Sequence, residues 1–250
     1  MTVTGGSAGP VLGRVAVLVP AAGRGERLGP GAPKALRELG GVPMLVLAVQ
    51  AMAAARSVSL VVVSAPPDDV PAVSALLASY SLGAEIMVVA GGATRQESVR
   101  RALEALDADI EIVLVHDAAR PLAPSDLADV VVAAVRAGAD AVVPGLALAD
   151  TVKFVDTAER VRSTPERATL RAVQTPQGFR RTTLAAAHAA SHGDLGSSAV
   201  AATDDAGLVE RAGGAVLVVP GSDEAFKITR PLDLILAEAV LDRRRANQTR

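Results

Sequence analysis

The chain has 250 residues, half of them hydrophobic, which is enough for one α/β domain with a sizeable core. Its net charge of −2, with three Phe, one Tyr and no Trp, argues against a polybasic nucleic-acid binder and against base-stacking surfaces. The absence of cysteine excludes disulfides, thiolate metal sites and cysteine nucleophiles.

No apolar run in the sequence reaches the roughly 18 residues that a membrane-spanning helix requires. Residues 1–12 are rich in Gly, Ser and Thr and lack a basic start followed by an apolar stretch. They predict a disordered tail rather than a signal peptide. We therefore expect a soluble, cytoplasmic protein.

From the first apolar run onward, β-branched segments alternate with segments of helical spacing. Strands are predicted at residues 15–19, 59–64, 86–89, 112–115 and 141–143. Helices are predicted between them at residues 43–56, 69–79, 94–106 and 125–137. Because the strand segments are continuously apolar, both faces of the sheet should be covered. The alternation predicts a mostly parallel, doubly wound sheet.

The alternation stops near residue 147. Residues 147–175 contain short β-like pieces at 151–155 and 170–174, separated by a charged turn at 156–167, and predict an antiparallel excursion from the sheet. The remaining predicted elements are a helix at 181–191, a loop at 193–198, a helix beginning at Thr203, a strand at 215–219 and a helix from Pro231. No linker divides the chain, so we expect a single domain at 13–250 with an arm at about 147–175.

The first predicted strand leads into a glycine-rich loop, P-A-A-G-R-G-E-R-L at residues 20–28. Small residues at the carboxyl end of a parallel strand let backbone N–H groups approach a phosphate closely. The spacing differs from the dinucleotide fingerprint, and no P-loop sequence occurs. Arg27 and Lys34 add positive charge suited to a triphosphate. A tight turn with two solvated cations is the alternative. The candidate nucleotide contacts in this loop are Pro20, Ala21, Ala22, Gly23 and Gly25.

The fourth predicted strand ends in H-D-A-A-R-P at residues 116–121. A carboxylate at this position, facing the phosphate loop, can hold Mg²⁺ between its own oxygens and those of a phosphate, so Asp117 is a candidate metal ligand. Arg120 is a candidate for binding a second anion. Alternatively, the segment is a turn before the next helix, with Asp117 as its cap. His116 is left out of the site because a lone histidine is more often packed and hydrogen-bonded.

Two further segments carry candidate residues. Residues 91–98 open a helix with the capping pattern T-x-x-E, and Gly92 and Ser98 lie where a nucleotide would meet the helix N-terminus. A capped helix explains this pattern equally well. Residues 221–229, G-S-D-E-A-F-K-I-T, bring acidic residues close to Lys227, one of only three lysines in the chain. A retained lysine suggests a need for a compact ammonium charge.

In this order, these segments resemble the 2-C-methyl-D-erythritol 4-phosphate cytidylyltransferase family over about residues 14–242. The most specific pieces are the loop at 20–28, P-K at 33–34, H-D-A-A-R-P at 116–121, D-T-V-K at 150–153, T-P-Q at 175–177, T-D-D at 203–205 and K-I-T-R-P at 227–231. The resemblance implies a Rossmann-like three-layer α/β sandwich with a protruding β-arm. It also implies transfer of CMP from CTP to methylerythritol phosphate in isoprenoid precursor synthesis.

The resemblance assigns roles to individual residues. Matches to Arg27 and Lys34 stabilise the transition state on the CTP phosphates, and matches to Arg167 and Lys227 place the attacking phosphate. The other implied contacts are Gly92, Ser98 and Asp117 for CTP, Arg120, Thr151 and Thr175 for the second substrate, and Asp117 with Glu224 near the Mg²⁺ ion. The family's arm clasps a second subunit, which implies a homodimer with Arg167 reaching the neighbour's site.

Three positions depart from the family pattern. Glu26 stands where some relatives have a basic residue, Ala93 where some have an acidic one, and Ala225 where an amide is common. Two alternatives to the implied function remain: a cytidylyltransferase for another polyol phosphate such as ribitol 5-phosphate, and a non-catalytic nucleotide-binding or dimerising module. His188 and His192 fall away from every predicted strand end, so we expect their replacement to be near neutral.

Overall fold

The computed structural model describes residues 13–23, 34–193 and 203–248. The predicted tail at 1–12 lies outside the described residues, as do most of the glycine-rich loop and of the predicted loop at 193–198. No helix in the described part of the chain is both long enough and apolar enough to cross a membrane.

The strands of the described ranges follow the chain in this order: β1 (Arg14–Pro20), β2 (Glu38–Leu39), β3 (Val42–Pro43), β4 (Leu60–Ala65), β5 (Glu85–Ala90), β6 (Ile110–Val115), β7 (Ala141–Ala147), β8 (Phe154–Val155), β9 (Val161–Ser163), β10 (Arg171–Val173), β11 (Gln177–Arg180) and β12 (Val216–Pro220). The α-helices are α1 (Met44–Ala53), α2 (Val70–Ala78), α3 (Arg95–Glu104), α4 (Ser125–Arg136), α5 (Arg181–Gly193), α6 (Asp205–Arg211) and α7 (Pro231–Gln248). Short 3₁₀ helices lie at Lys34–Leu36, Pro67–Asp69, Arg167–Thr169 and Asp223–Ala225.

One mostly parallel sheet forms the centre of the fold. β1 pairs in parallel with β4 and β6, β4 with β5, and β7 with β12. β11 lies antiparallel between β6 and β7, and β10 continues along the same edge of β7. The hairpins β2–β3 and β8–β9 stand apart from this sheet.

Alternate strand residues point to opposite sides of the sheet, where two sets of helices cover them. On one face, Val15, Val17 and Val19 of β1 pack in a cluster with α1, α2 and α4. On the other face, Ala16 and Leu18 pack in a cluster with α3, α5 and α6. Both faces are therefore dry, which explains the continuous apolar runs and confirms the predicted three-layer sandwich.

The main predicted strands and helices are confirmed within a few residues at their ends, but β11 was missed. Its sequence, Gln-Gly-Phe-Arg, has neither the length nor the β-branched content of a buried strand. Gln177, Gly178 and Phe179 are nevertheless buried. A Cβ on Gly178 would lie 2.4 Å from Cγ1 of Val131, so a larger residue would not fit there. The glycine thus lets α4 pack directly on this strand.

The prediction for the arm is partly wrong. Only residues 154–155 of the predicted 151–155 strand are extended, and they pair with β9, which lies inside the predicted charged turn. The second predicted strand returns to the main sheet as β10 instead of pairing within the arm. The sequence could not predict this pairing, because β7, the sheet partner of β10, lies far from it in the chain and the pairing leaves no local pattern.

Candidate active site

The carboxyl ends of β1, β5 and β6 meet at one edge of the sheet and surround a cavity of about 280 Å³, called here the first cavity. Its wall consists of residues 20–23 after β1, residues 92–95 and Ser98 at the start of α3, and residues 117–119 after β6. Most of these side chains are small, so the backbone is accessible. The predicted contacts Pro20, Ala21, Ala22 and Gly23 are therefore brought together with Gly92, Ser98 and Asp117.

A second cavity of about 250 Å³ adjoins the first. It is lined by polar residues of the β6 and β10–β11 region, among them Arg120, Gln174 and Thr175. Both cavities share Arg95, Asp117 and Lys227 as lining residues. These three side chains form the junction, the place where groups held in the two cavities would meet.

The carboxylate of Asp117 is surrounded by cations at this junction. Its Oδ2 lies 2.8 Å from Nζ of Lys227 and 3.8 Å from Nε of Arg120, and its Oδ1 lies 3.5 Å from Nε of Arg95. Burial alone would raise the pKa of Asp117, but the charges of Arg95 and Lys227 lower it well below its usual range. Asp117 therefore stays ionised and acts only as an acceptor at neutral pH.

Buried neighbours hold the backbone of Asp117. Its N–H donates to Oγ1 of Thr175 at 3.0 Å, and Oγ1 lies 3.1 Å from Nδ1 of His116. Nε2 of His116 faces the carbonyl of Arg120 at 3.3 Å, so Nε2 carries the proton and Nδ1 accepts from the threonine hydroxyl. Burial lowers the pKa of His116 to about 4, which keeps the ring neutral. His116, which the sequence analysis left out of the site, therefore helps to hold the backbone of Asp117 through Thr175.

Arg120, predicted to bind the second substrate, is buried beside the second cavity. Its Nη1 donates to the carbonyl of Ala225 at 2.6 Å, and its Nη2 to that of Val173 at 3.4 Å. Its Nε has no hydrogen-bond partner among the described residues. This Nε atom is itself buried and lies 3.8 Å from Oδ2 of Asp117, so it faces the carboxylate rather than the open cavity. The side chain of Ala225 departs from the family pattern, but Arg120 binds its backbone carbonyl, which any residue would supply.

The predicted cap of α3 is confirmed: Oγ1 of Thr94 accepts the N–H of Glu97 at 3.0 Å. Ser98 is buried in the cavity wall, where its hydroxyl donates to the carbonyl of Thr94 at 2.9 Å and accepts the N–H of Gly92 at 3.0 Å. Its proton is therefore already used in shaping the loop. Gly91 allows the close approach of the two loops, because a Cβ there would lie 2.6 Å from Cβ of Ala22.

Arg95, which the sequence did not single out, is the first residue of α3 and is linked to the core behind the site. Its Nη1 lies 2.6 Å from Oδ2 of Asp205, whose Oδ1 lies 3.0 Å from Nε2 of His188. His188 and Asp205 are both buried. The near-neutral effect expected for replacing His188 stays untested, but its premise is not supported, because the buried ring reaches Arg95 of the junction through Asp205.

A signal for Arg95 was present in the sequence. A cation in the first turn of a helix opposes the helix dipole, so it calls for an acidic partner. That partner, Asp205, is about 110 residues away and could not be identified without the fold.

Glu224, the second predicted metal ligand, is engaged elsewhere. Its carboxylate forms ion pairs with Arg243 and Arg244 of α7, and Nε of Arg244 donates to it at 2.8 Å. Its pKa is lowered, since these guanidinium groups outweigh the opposing effect of burial. Glu224 thus fastens α7 to the 3₁₀ helix at Asp223–Ala225. It lines neither of the two cavities, and this position does not favour it as a metal ligand.

Two predicted substrate residues lie on the arm. Thr151 and Arg167 are exposed, and neither lines the two cavities of its own chain. Nη1 of Arg167 donates to the carbonyl of Ala149 on the same arm. Gly25 and Arg27 lie outside the described residues, as does the side chain of Lys34, whose backbone begins a 3₁₀ helix.

The donor set suits a magnesium ion that is held partly by its substrate. The described residues contain no group of three or more His, Cys, Asp or Glu side chains that could hold a metal ion by themselves. Asp117, however, presents an ionised carboxylate at the junction of the cavities. Mg²⁺ is commonly bound by one or two carboxylates together with substrate phosphates, and this arrangement fits that pattern.

Comparison with known proteins identifies the family of the chain. A family model described as 2-C-methyl-D-erythritol 4-phosphate cytidylyltransferase matches residues 15–243. The chain belongs to this cytidylyltransferase family. A cytidylyltransferase of that name from Streptomyces coelicolor is 61% identical over 242 residues, which cover 94% of this chain and 87% of the relative.

Solved structures agree with the family assignment. A 4-diphosphocytidyl-2C-methyl-D-erythritol synthase from Anaerococcus prevotii superimposes with a TM-score of 0.79 at 29% identity, covering 92% of this chain and 99% of that one. The cytidylyltransferase from Thermus thermophilus gives a TM-score of 0.73 at 38% identity, with coverage of 91% and 98%. The predicted resemblance and the nucleotidyltransferase-like α/β fold are both confirmed.

Proposed function

We propose that this cytidylyltransferase family member transfers CMP from CTP to 2-C-methyl-D-erythritol 4-phosphate. The products are pyrophosphate and 4-diphosphocytidyl-2-C-methyl-D-erythritol, a precursor in isoprenoid biosynthesis. Family membership supports the choice of substrates. The observation that carries the reaction type is the pair of adjoining cavities with Arg95, Asp117 and Lys227 at their junction.

The first cavity suits the nucleotide. Its lining side chains are mostly small, so a nucleotide could approach the backbone after β1 and the N-terminus of α3 closely. The second cavity suits the phosphorylated polyol, because the charged Arg120 and the polar Gln174 and Thr175 line it. In this arrangement the two phosphate groups meet beside Lys227.

The chemistry needs positioning and charge neutralisation rather than a covalent nucleophile. A phosphate oxygen of the acceptor forms a bond to the α-phosphorus of CTP, the bond to the β-phosphate oxygen breaks, and its electron pair leaves with pyrophosphate. No proton has to be transferred, since the attacking phosphate is already anionic. Lys227 and Arg95 stabilise the negative charge that develops between the cavities.

Asp117 would hold Mg²⁺ at the nucleotide phosphates. The bound ion would neutralise charge on the triphosphate and favour the departure of pyrophosphate. Lys227 and Arg95 keep Asp117 ionised but also occupy its oxygens, so Mg²⁺ would take the place of one of these cations at the carboxylate. Arg27 and Lys34 stay predictions for the CTP phosphates, and a cytoplasmic location stays a prediction as well.

A homodimer is part of the proposal. Phe154, Val155 and Val161 of the β8–β9 hairpin are all exposed, and an isolated two-stranded hairpin is only marginally stable in water. A two-fold partner would cover these side chains. It would also give Arg167 and Thr151, which lie outside the cavities of their own chain, a neighbouring site to complete.

The test is pyrophosphate release by the purified protein with CTP, Mg²⁺ and either methylerythritol phosphate or ribitol 5-phosphate. We expect turnover with methylerythritol phosphate, its loss on adding EDTA and its return with excess Mg²⁺. Faster turnover with ribitol phosphate would contradict the substrate assignment but keep the reaction type. No turnover with either acceptor would contradict the reaction itself.

A further inference from the structure

A line of side chains leads from the core to the junction of the cavities. It runs from His188 of α5 to Asp205 of α6, then to Arg95 of α3 and finally to Asp117 after β6. The distances along it are 3.0 Å, 2.6 Å and 3.5 Å. Four separate elements therefore meet through polar side chains in an otherwise apolar layer.

The inner half of this line is closed to water. Asp205 has no exposed surface and His188 is 6% exposed. A buried carboxylate needs partners for both oxygens, and here each oxygen has one. Burial alone would raise the pKa of Asp205, but the hydrogen bond from His188 and the charge of Arg95 lower it. The aspartate is thus held as an anion that can orient a cation.

Arg95 needs such an anchor. It stands in the first turn of α3, where the helix dipole repels a cation, and its long side chain has many rotamers. Asp205 accepts from Nη1 on the inner side, which leaves Nε turned toward Asp117 and the guanidinium lining both cavities. The position of this charge relative to the cavities is therefore set from behind.

We propose that His188 and Asp205 are positioning residues that fix the guanidinium of Arg95 at the junction, where it meets the phosphates of the bound nucleotide. This role rests on the proposed function for its substrate. His188 acts by donating to Oδ1 of Asp205, so that Oδ2 remains aligned with Arg95. Neither His188 nor Asp205 touches the substrate.

A double-mutant cycle separates positioning from simple stability. His188→Leu keeps a side chain of similar size but removes the donor, and we expect it to lower kcat/KM for CTP about tenfold or more, as misplacement of an oriented group does. His188→Gln, which restores an N–H donor, should recover most of this loss. In an Arg95→Met background, His188→Leu should change kcat/KM less than about twofold, because the effect passes through the arginine.

Leu184→Ala is the matched control for stability. Leu184 is buried on the same helix and has no polar side-chain atom that could join the line, so its truncation should lower the melting temperature but leave kcat/KM near wild type. If His188→Leu fails to fold, Asp205→Asn enters the same cycle, since it keeps the size of the side chain. An equal loss of kcat/KM with and without Arg95 overturns the positioning role, as does a loss in Leu184→Ala as large as in His188→Leu.

Calorimetric binding of CTP with Mg²⁺ gives the same cycle without turnover. Here too, His188→Leu should weaken binding only when Arg95 is present. A wild-type protein that binds CTP but does not turn over contradicts the proposed function and leaves the binding cycle decisive for the positioning role. A wild-type protein that binds no CTP overturns both.

Discussion

The cluster around Asp117 and the β8–β9 hairpin of the arm differ in whether their side chains find partners within one chain. Around Asp117, the carboxylate, the histidine and the threonine find partners within the same chain. On the hairpin, Phe154 is 61% exposed, and the nearby Arg167 donates only to the backbone of its own arm among the contacts the described residues make. The difference teaches that the charges of the junction are set by the fold of one chain, whereas the hairpin leaves exposed the apolar side chains that the proposed second subunit would cover.

Replacing Lys227 should lower the activity more than any other change discussed below. Lys227→Ala removes the cation 2.8 Å from Asp117 that lines both cavities. Losing one such contact with developing charge typically lowers the rate by about 10²–10³-fold, and we expect kcat to fall by that much. Steady-state pyrophosphate release measures it.

Arg180→Ala is the control for Lys227→Ala, because Arg180 forms an exposed ion pair with Asp140 that contributes little. Its kcat should stay at the wild-type value. A correctly folded Lys227→Ala protein with kcat within about threefold of wild type would reject the role of this lysine.

Mild acid should destabilise the protein through His116, the buried histidine behind Asp117. The folded state holds His116 neutral with a pKa of about 4, whereas the unfolded chain has the ordinary value of 6.5. Between these values the unfolded state binds more protons, so stability falls as the pH drops from 6.5 to 4. From pH 7 to pH 4.5 this group alone should cost about 2–3 kcal/mol of unfolding free energy.

Urea unfolding at the two pH values measures the effect, with His116→Gln as the comparison. The glutamine does not titrate, so the difference between pH 7 and pH 4.5 should shrink by that amount. Asp117 and Asp205 have lowered pKa values and lose their contribution only at more acidic pH. An unchanged difference in His116→Gln would show that His116 does not control this acid sensitivity.

The sequence could predict those features of the structure that leave a local pattern in the chain. The strands of the sheet and the phosphate loop are marked by contiguous apolar runs and small residues, so the first cavity was foreseen with Asp117 in its wall. The link from Arg95 to Asp205 joins two helix starts far apart in the chain, and its partners carry no local pattern. The partners of Glu224 could not be predicted for the same reason, because the arginines that engage it lie on α7.

For the arm, we expect a small recovery of activity, and this recovery would be specific for a site shared between subunits. If Arg167 acts in the partner's site and Lys227 in its own, mixing Lys227→Ala protein with Arg167→Ala protein makes about half of the dimers mixed, and each mixed dimer has one intact site. Activity should return to about a quarter of wild type once subunits exchange. If both residues act in the same subunit, the mixture should stay as inactive as the single variants.

A chain that carries both substitutions supplies the matched control for this mixing experiment. Mixed in equal amounts with wild type, it should leave about a quarter of the activity if the site is shared, because every mixed dimer then has one lesion in each site. It should leave about half if both residues belong to one subunit, because each mixed dimer then keeps one intact site. Subunit exchange is checked by native mass spectrometry of differently tagged chains. Sedimentation as a monomer at assay concentration would contradict the shared site before any mixing, since the exposed hairpin would then have no partner to cover it.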